Sequence, residues 1–417
     1  MKSITLMGAG YVGLPTAALL AKAGFEVLAV DKDPARVQAI NSRSLISEED
    51  SINALLHDPI VQRHLRAGLT VVPSDVFFIC VPTPIHPEDK TPDLRAILDA
   101  AKKIAQVLRP GNRVIIESTL PVGCTRTFIV PLLEESGLKA GEDFFVAYCP
   151  ERVLIGNAIK EITENARLIG GINPLSAEKA MEVYRQFVHG PIFLVSDLEA
   201  EICKLAENAY RDVNIAFANE LAALCEKAGV NPMHVIALTN QHPRVHILNP
   251  GIGVGGHCIP VDPWFLVHAD PSNTHLIQCA RKINDERPLR IAEILRQAVA
   301  NIPNPLIALS GLAYKPNCKD TRESPAKKVL SLLQSEGFQV RATDPLIYPD
   351  TYPGLASLAE GADLLAILVE HEITRQELAE KEPDIRQRMR TPNILRFYPP
   401  EEPAPAEPET LSALILG

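Results

Sequence analysis

The sequence is poor in several things that would have pointed elsewhere. It holds one tryptophan and only 5% aromatics, and its 41 basic side chains are outnumbered by 51 acidic ones, a formal charge of −10 over 417 residues. A general nucleic-acid binder needs a basic face to neutralise phosphates, so that class is excluded, although a local cationic pocket for a small anion is not. No run of about 18 uncharged apolar residues occurs, so no membrane span is expected. The eight cysteines, at positions 80, 124, 149, 203, 225, 258, 279 and 318, include no CxxC pair. That removes a zinc site and a disulfide framework and makes a reducing compartment, the cytoplasm, the expected address. The apolar start at residues 1–8 runs straight into a glycine turn without a cleavage pattern, and reads as a buried strand rather than a signal peptide.

What is present is the balance of an ordinary globular protein, 46% apolar and 22% charged. At roughly 150 residues per domain, the length implies two or three units. Short apolar runs at 4–7, 26–30, 76–81, 113–117 and 144–149 suit strands buried on both faces, with helix-type segments at 14–23 and 94–108 between them. This alternation predicts a doubly wound α/β parallel sheet. The pattern changes at Ser196. Ser196-Asp197-Leu198-Glu199 is a capping box, neither Pro nor Gly interrupts the chain before Lys227, and Gly229 is placed to stop it. One helix of about 30 residues, about 45 Å long, is expected; helices of that length bridge domains or build dimer interfaces. From Pro305 the alternation restarts, with strands at 306–310, 340–343, 364–369 and 393–398 and a helix at 325–333. The Pro/Glu-rich end is expected to be disordered. The expected division is 1–195, 196–300 (helical, carrying the cysteine loop described below), 301–398, and a tail at 399–417.

Gly8-Ala9-Gly10-Tyr11-Val12-Gly13 is a GxGxxG between an expected strand and an expected helix. The first glycine allows the tight turn, the second lets backbone approach a pyrophosphate, and the third permits close helix–sheet packing. The helix N-terminus then offers free N–H groups and a positive dipole end to the phosphates. Asp31 closes the next strand about 20 residues on, placed for an adenosine ribose, so NAD is the expected cofactor and the domain Rossmann-like.

The stretch from Asn249 to Trp264, Asn-Pro-Gly-Ile-Gly-Val-Gly-Gly-His-Cys-Ile-Pro-Val-Asp-Pro-Trp, is the most informative. Its glycines let backbone approach a ligand, and Cys258 sits four residues before Asp262. A thiolate is a strong nucleophile once a cation or helix terminus favours it; a packed small residue is the bland alternative for Cys258, and a satisfied surface side chain for His257. On the long helix Lys204 and Asn208, at i and i+4, share one face and suit a base or an electrostatic clamp. A solvated Lys beside a surface Asn is the competing account.

Six ordered blocks carry a resemblance: GAGYVGLP at 8–15, ESTLPVG at 117–123, PER at 150–152, KLAENA at 204–209, GVGGHCIPVDPW at 253–264 and GLAYKPNCKDTRESPA at 311–326. Over residues 1 to about 370 the chain resembles the nucleotide-sugar 6-dehydrogenase family, which oxidises C6 of a UDP-sugar from alcohol to carboxylate while reducing two NAD. The resemblance implies two Rossmann-like domains joined by a long central helix and a helical dimerisation segment, and a homodimer without metal. It makes Cys258 the nucleophile that traps the C6 aldehyde as a thiohemiacetal, later a thioester that water cleaves. Lys204 and Asn208 would stabilise charge on the C6 oxygen, Asp262 would handle the alcohol proton, and Thr119 and Glu151 would hold or activate the hydrolytic water. Beside Gly8, Gly10, Tyr11, Val12, Gly13 and Asp31, the implied cofactor contacts are Thr83, Thr119 and Arg322. The implied substrate contacts are Glu151, Arg152, Lys204, Asn208, Arg244, His246, Gly255 and Lys315, with Lys315 and Arg322 suited to phosphate.

The chain departs from the UDP-glucose pattern at three places. Ile155 stands where that pattern has a second Glu, and His257 and Val261 stand where it has Ser and Lys. The HCIPVDPW form and His242-Pro243-Arg244 resemble the branch acting on UDP-N-acetylamino sugars. UDP-N-acetyl-D-mannosamine is the expected substrate, its uronate serving a surface polysaccharide, with UDP-N-acetylglucosamine or UDP-glucose as runners-up. A non-catalytic NAD and UDP-sugar binding protein is the rival from another class.

Overall fold

The computed structural model describes residues 2–47, 49–153 and 156–398; the tail expected at 399–417 lies outside them. The chain divides into two compact units, residues 1–208 with 261–274 and residues 209–260 with 275–417.

The first unit contains β1 (Ser3–Met7), α1 (Gly13–Lys22), β2 (Glu26–Val30), β3 (Leu65–Gly68), β4 (Val76–Ile79), α2 (Arg95–Ala105), β5 (Arg113–Ile116), β6 (Phe145–Tyr148), β7 (Arg167–Gly171), α3 (Pro174–Tyr184) and β8 (Ile192–Ser196). Its sheet has the order β3-β2-β1-β4-β5-β6-β7-β8. The first six strands are parallel in the doubly wound 3-2-1-4-5-6 order. β7 then runs antiparallel to β6, with Ala147 opposite Gly171, and β8 is parallel to β7. The expected parallel sheet is thus extended by a reversed pair.

Alternation along each strand splits the core in two. Ile4, Leu6, Val76 and Phe78 belong to one apolar cluster, Met7, Phe77, Ile79, Val114 and Ile116 to the other. All four residues of β4 are buried, which is why the strands read as continuous apolar runs. The order reverses between β1 and β4, and at such a switch point the carboxyl ends of the strands open a crevice for ligands.

The long helix α4 spans Asp197–Ala228, with residues 197–208 in the first unit and the rest in the second. Its capping box is formed: the Glu199 amide donates to Ser196 Oγ (3.2 Å) and the Ser196 amide to Glu199 Oε2 (2.7 Å). The short helix α5 (Asp262–Ala269) completes the first unit.

In the second unit the buried Arg281 of α6 (His275–Val299) pairs with Asp212 of α4, and Asn219 Nδ2 donates to Asn284 Oδ1 at 2.9 Å. These bonds hold the two helices side by side. The chain continues through β9 (Leu306–Ser310), α7 (Pro325–Ser335), β10 (Gln339–Thr343), β11 (Leu364–Ile367), α8 (Glu372–Arg388) and β12 (Ile394–Arg396). The sheet, β10-β9-β11-β12, is parallel throughout. Apolar clusters cover both its faces, Ile307 and Leu309 on one and Ala308 and Leu365 on the other. Among the described residues no helix is long and apolar enough to cross a membrane.

Candidate active site

The glycine turn closes β1 at the switch point. A Cβ at Gly8 would lie 2.6 Å from the Cys80 carbonyl oxygen at the end of β4, and one at Gly13 would lie 1.9 Å from the Gly8 carbonyl oxygen. Gly8 also has φ +94°, a conformation L side chains rarely adopt. A Cβ at Gly10 would meet nothing within 4 Å, so that backbone stands open. No side chain caps the first turn of α1 at Val12. Asp31 accepts the Ala9 amide at 2.9 Å and the Asp33 amide at 3.0 Å, tying the turn to the end of β2; a carboxylate has acceptor capacity left for a ribose hydroxyl. These residues fit a dinucleotide. Across the crevice Thr83 Oγ1 donates to the Thr119 carbonyl at 2.7 Å, joining the loops after β4 and β5.

Glu151 follows β6, Lys204 and Asn208 project from α4, and Asp262 opens α5. Lys204 and Asn208 are both buried at 7% exposure and Asp262 at 3%. Asn208 Nδ2 donates to Asp262 Oδ2 at 2.6 Å. Desolvation raises the Asp262 carboxyl to about 6, against the opposing pull of the Lys204 charge and the Asn208 bond. Desolvation likewise raises Glu151 to about 7, again opposed by Lys204 and by the Val153 amide that its carboxylate accepts. Two carboxyls poised near neutrality around one buried ammonium are the equipment for proton transfer. Ile155 lies outside the described residues.

Sequence reasoning missed the groups that hold this cluster. Glu201, one turn before Lys204, accepts the amides of Gly123 (2.5 Å) and Thr125 (2.9 Å) and the Thr125 hydroxyl (2.6 Å). Arg126 grips Asp197 with two nitrogens. Together they fasten the segment after Thr119 to α4. Glu117 is buried and accepts from Thr16 of α1 (3.2 Å), Tyr184 of α3 (2.7 Å) and the Cys80 thiol (3.3 Å), with Arg167 at 3.5 Å. Arg152, expected on substrate, is engaged by Glu207 of α4 (3.0 and 2.6 Å) and by the Ala166 carbonyl. Glu207 could have been suspected from its place one turn after Cys203 on a helix already singled out; the others carry no signal a single sequence displays.

In the second unit the cysteine turn rests on the loop after β9. The Gly256 amide donates to the Arg322 carbonyl at 3.0 Å, and a Cβ at Gly255 would lie 2.7 Å from both the Glu323 carbonyl oxygen and Tyr314 Cβ. Cys258 is half-buried beside exposed His257. Arg322 holds Asp320 with its side chain, and Lys315 Nζ lies 5.7 Å over the Tyr314 ring. Arg244 and His246 are exposed on the segment after the helix Pro232–Thr239; the His246 carbonyl accepts Asn214 Nδ2 at 2.8 Å. The loop carrying Lys315 and Arg322 has its own brace. Buried Asp344 accepts the Leu312 and Ala313 amides (2.6 and 3.0 Å) and His371 Nε2 (3.0 Å), while His371 Nδ1 accepts the Asn317 amide (3.0 Å). Burial pushes the Asp344 carboxyl up, but His371 and the backbone amides prevail and hold it at about 2.

A doubly wound sheet with a dinucleotide turn, together with a cluster of buried titratable groups in the same unit, points to the class of pyridine-nucleotide dehydrogenases. Comparison with known proteins narrows this. Residues 2–188 match the NAD binding domain of the UDP-glucose/GDP-mannose dehydrogenase family, 198–286 its central domain and 308–396 its UDP binding domain, and the chain belongs to that family. It is 44% identical over 375 residues to the UDP-N-acetyl-D-mannosamine dehydrogenase of Methanocaldococcus jannaschii, covering 89% of this chain and 86% of that one. It is 42% identical over 390 residues to the NDP-N-acetyl-D-galactosaminuronic acid dehydrogenase of Ralstonia solanacearum, covering 90% and 92%. The solved UDP-D-ManNAc dehydrogenase of Pyrococcus horikoshii superimposes with a TM-score of 0.90 at 38% identity, covering 97% of each chain.

Proposed function

We propose that this protein oxidises C6 of UDP-N-acetyl-D-mannosamine to the carboxylate through a covalent adduct on Cys258. The carrying observation is the cluster of Glu151, Lys204, Asn208 and Asp262: residues from three separate stretches gather with carboxyls raised toward neutrality. Bound NAD supplies the hydride acceptor for each of the two oxidations. Asp262 takes the proton of the C6 hydroxyl in the first, and Lys204 with Asn208 stabilises negative charge on the C6 oxygen. The Cys258 sulfur then adds to the aldehyde carbon, because a carbonyl carbon carries no removable hydride partner to an alkoxide until a nucleophile adds. After the second oxidation Glu151 takes a proton from the water that cleaves the thioester, with Thr119 holding that water, and the Cys258 sulfur leaves.

The relatives named for N-acetylmannosamine support the choice of sugar. The Ralstonia relative favours a second reading, an N-acetylgalactosamine nucleotide. The product keeps its UDP leaving group, the chemistry of a glycosyl donor, which suits consumption by surface-polysaccharide synthesis in the cytoplasm. A homodimer through α4 belongs to the same proposal. The deciding experiment counts moles of NADH formed per mole of UDP-N-acetyl-D-mannosamine, UDP-N-acetylgalactosamine, UDP-N-acetylglucosamine and UDP-glucose. About two per mole of the mannosamine sugar, at the highest kcat/KM, is expected. Preference for another sugar overturns the substrate, and one NADH per sugar overturns the four-electron course.

A further inference from the structure

Cys258 has a chemical neighbour to which the mechanism above gives no task. His257 Nδ1 lies 2.7 Å from Cys258 Sγ. Consecutive side chains point apart in extended backbone, so this contact needs a turn. Gly256, with φ +88°, makes it, and a Cβ there would lie 3.1 Å from the Tyr314 ring. The turn therefore rests on the loop after β9 in a way only glycine permits, and that seating fixes His257 and Cys258 relative to each other.

Among the described residues of the second unit, Tyr314 faces Cys258 and Asp320 faces His257, with Cys318 and Arg322 beside them. Tyr314 is pushed up to about 12 by burial first and then by facing Cys318, Asp320 and Cys258, so it is neutral at working pH. Asp320 and Arg322 satisfy each other through several hydrogen bonds, leaving no net charge between them. Burial raises the Asp320 carboxyl, yet Arg322 holds it below the ordinary range and His257 pulls it the same way. The Asp320 carboxylate thus lies within electrostatic reach of His257.

We propose that His257 is the acid–base partner of Cys258. The inference rests on Cys258 being the nucleophile and goes beyond it. The imidazole Nδ1 accepts the thiol proton as the S–C6 bond forms and the aldehyde π pair moves onto oxygen. The imidazolium carries that proton through the second oxidation. When water cleaves the thioester, the S–C6 bond breaks, the sulfur leaves with the bonding pair, and His257 returns the proton to it. Thiol and imidazole end as they began. His257 is a catalytic residue in this account because it touches the reacting sulfur.

The test is the rate of iodoacetamide alkylation at Cys258 in the full-length protein, read by mass spectrometry of its peptide from about pH 5.5 to about pH 9. Wild type alkylates readily at neutral pH; His257→Gln slows about tenfold there and its profile moves to higher pH. Its turnover to the acid falls about 10- to 100-fold while NAD binding is unchanged. Because His257 is exposed, the substitution removes no core packing, and His257→Ser serves as a second variant. Superimposable alkylation profiles for wild type and both variants overturn the proposal. Continued acid formation by Cys258→Ala would instead sink the nucleophile reading, whatever the alkylation shows.

Discussion

At the scale of single residues, the cluster is governed by the competition between desolvation and one ammonium. Glu151 is raised to about 7, and the role of base proposed for it requires the ionised form. Acid formation is therefore expected to climb with pH through about 7 and level off above it, and Glu151→Gln should abolish that rise along with most of the hydrolysis. Stability runs the other way. The native value lies above the unfolded value of 4.5, so the folded state binds more protons over that interval. The associated stability is present below about 4.5 and lost as pH rises through about 7. Glu151→Gln should then be the more stable protein at pH 8, by on the order of 2 kcal/mol in a denaturant titration; equal stability would deny the buried charge. Lys204 lowers both Glu151 and Asp262. Lys204→Met is expected to move the pH limb upward and reduce turnover about 100-fold or more, measured as kcat at saturating NAD.

The groups assigned to the reaction in the proposal stand out in the sequence because of their neighbours: a cysteine among glycines, and a Lys and Asn one helical turn apart. Their supports were not. Glu201 and Thr125 are separated by 76 residues, Glu117 and Thr16 by 101. Glu201 reads as a solvated helix charge and Glu117 as the end of a strand, and only the folded chain reveals that each is a buried acceptor with several donors.

At the scale of elements, the clearest success of local pattern is the start of α4, where Ser196 and Glu199 exchange bonds as the capping box requires. Ser196→Ala should cost about 1 kcal/mol of stability by denaturant titration, without loss of NAD affinity. The strands that escaped notice explain themselves. β3 is Leu-Arg-Ala-Gly, four residues with little β character. β7 ends in Gly170-Gly171, normally a signal against a strand. Those glycines answer to packing instead: a Cβ at Gly170 would lie 2.7 Å from Ala200 Cβ of α4, and one at Gly171 would lie 2.4 Å from the Ala177 amide of α3. Close helix–sheet approach overrode propensity. Gly13 obeys the same rule at the dinucleotide turn, and Gly13→Ala, at 1.9 Å from the Gly8 carbonyl, is expected to remove NAD binding in a calorimetric titration.

At the scale of the whole molecule, an apolar stripe along one helix offers a seam for the proposed homodimer. Tyr210, Phe217 and Leu224 are spaced seven apart on α4 and are 62%, 53% and 65% exposed. Seven residues bring an α-helix back to within about 20° of the same direction, so the three side chains lie in one line. Scattered exposed apolar residues need no explanation, but an aligned set on the longest helix does. In the proposed homodimer a second copy would supply the same line, and two lines packed together would bury up to six large side chains, each stabilising by about 1.5 to 3 kcal/mol when fully covered. A carboxylate placed midway would be desolvated against apolar neighbours on both chains. Phe217→Glu is therefore expected to halve the mass measured by light scattering at micromolar concentration, while leaving the monomer folded by circular dichroism because Phe217 contributes little to its own core. An unchanged mass would move the interface elsewhere and leave the stripe without a purpose in this protein.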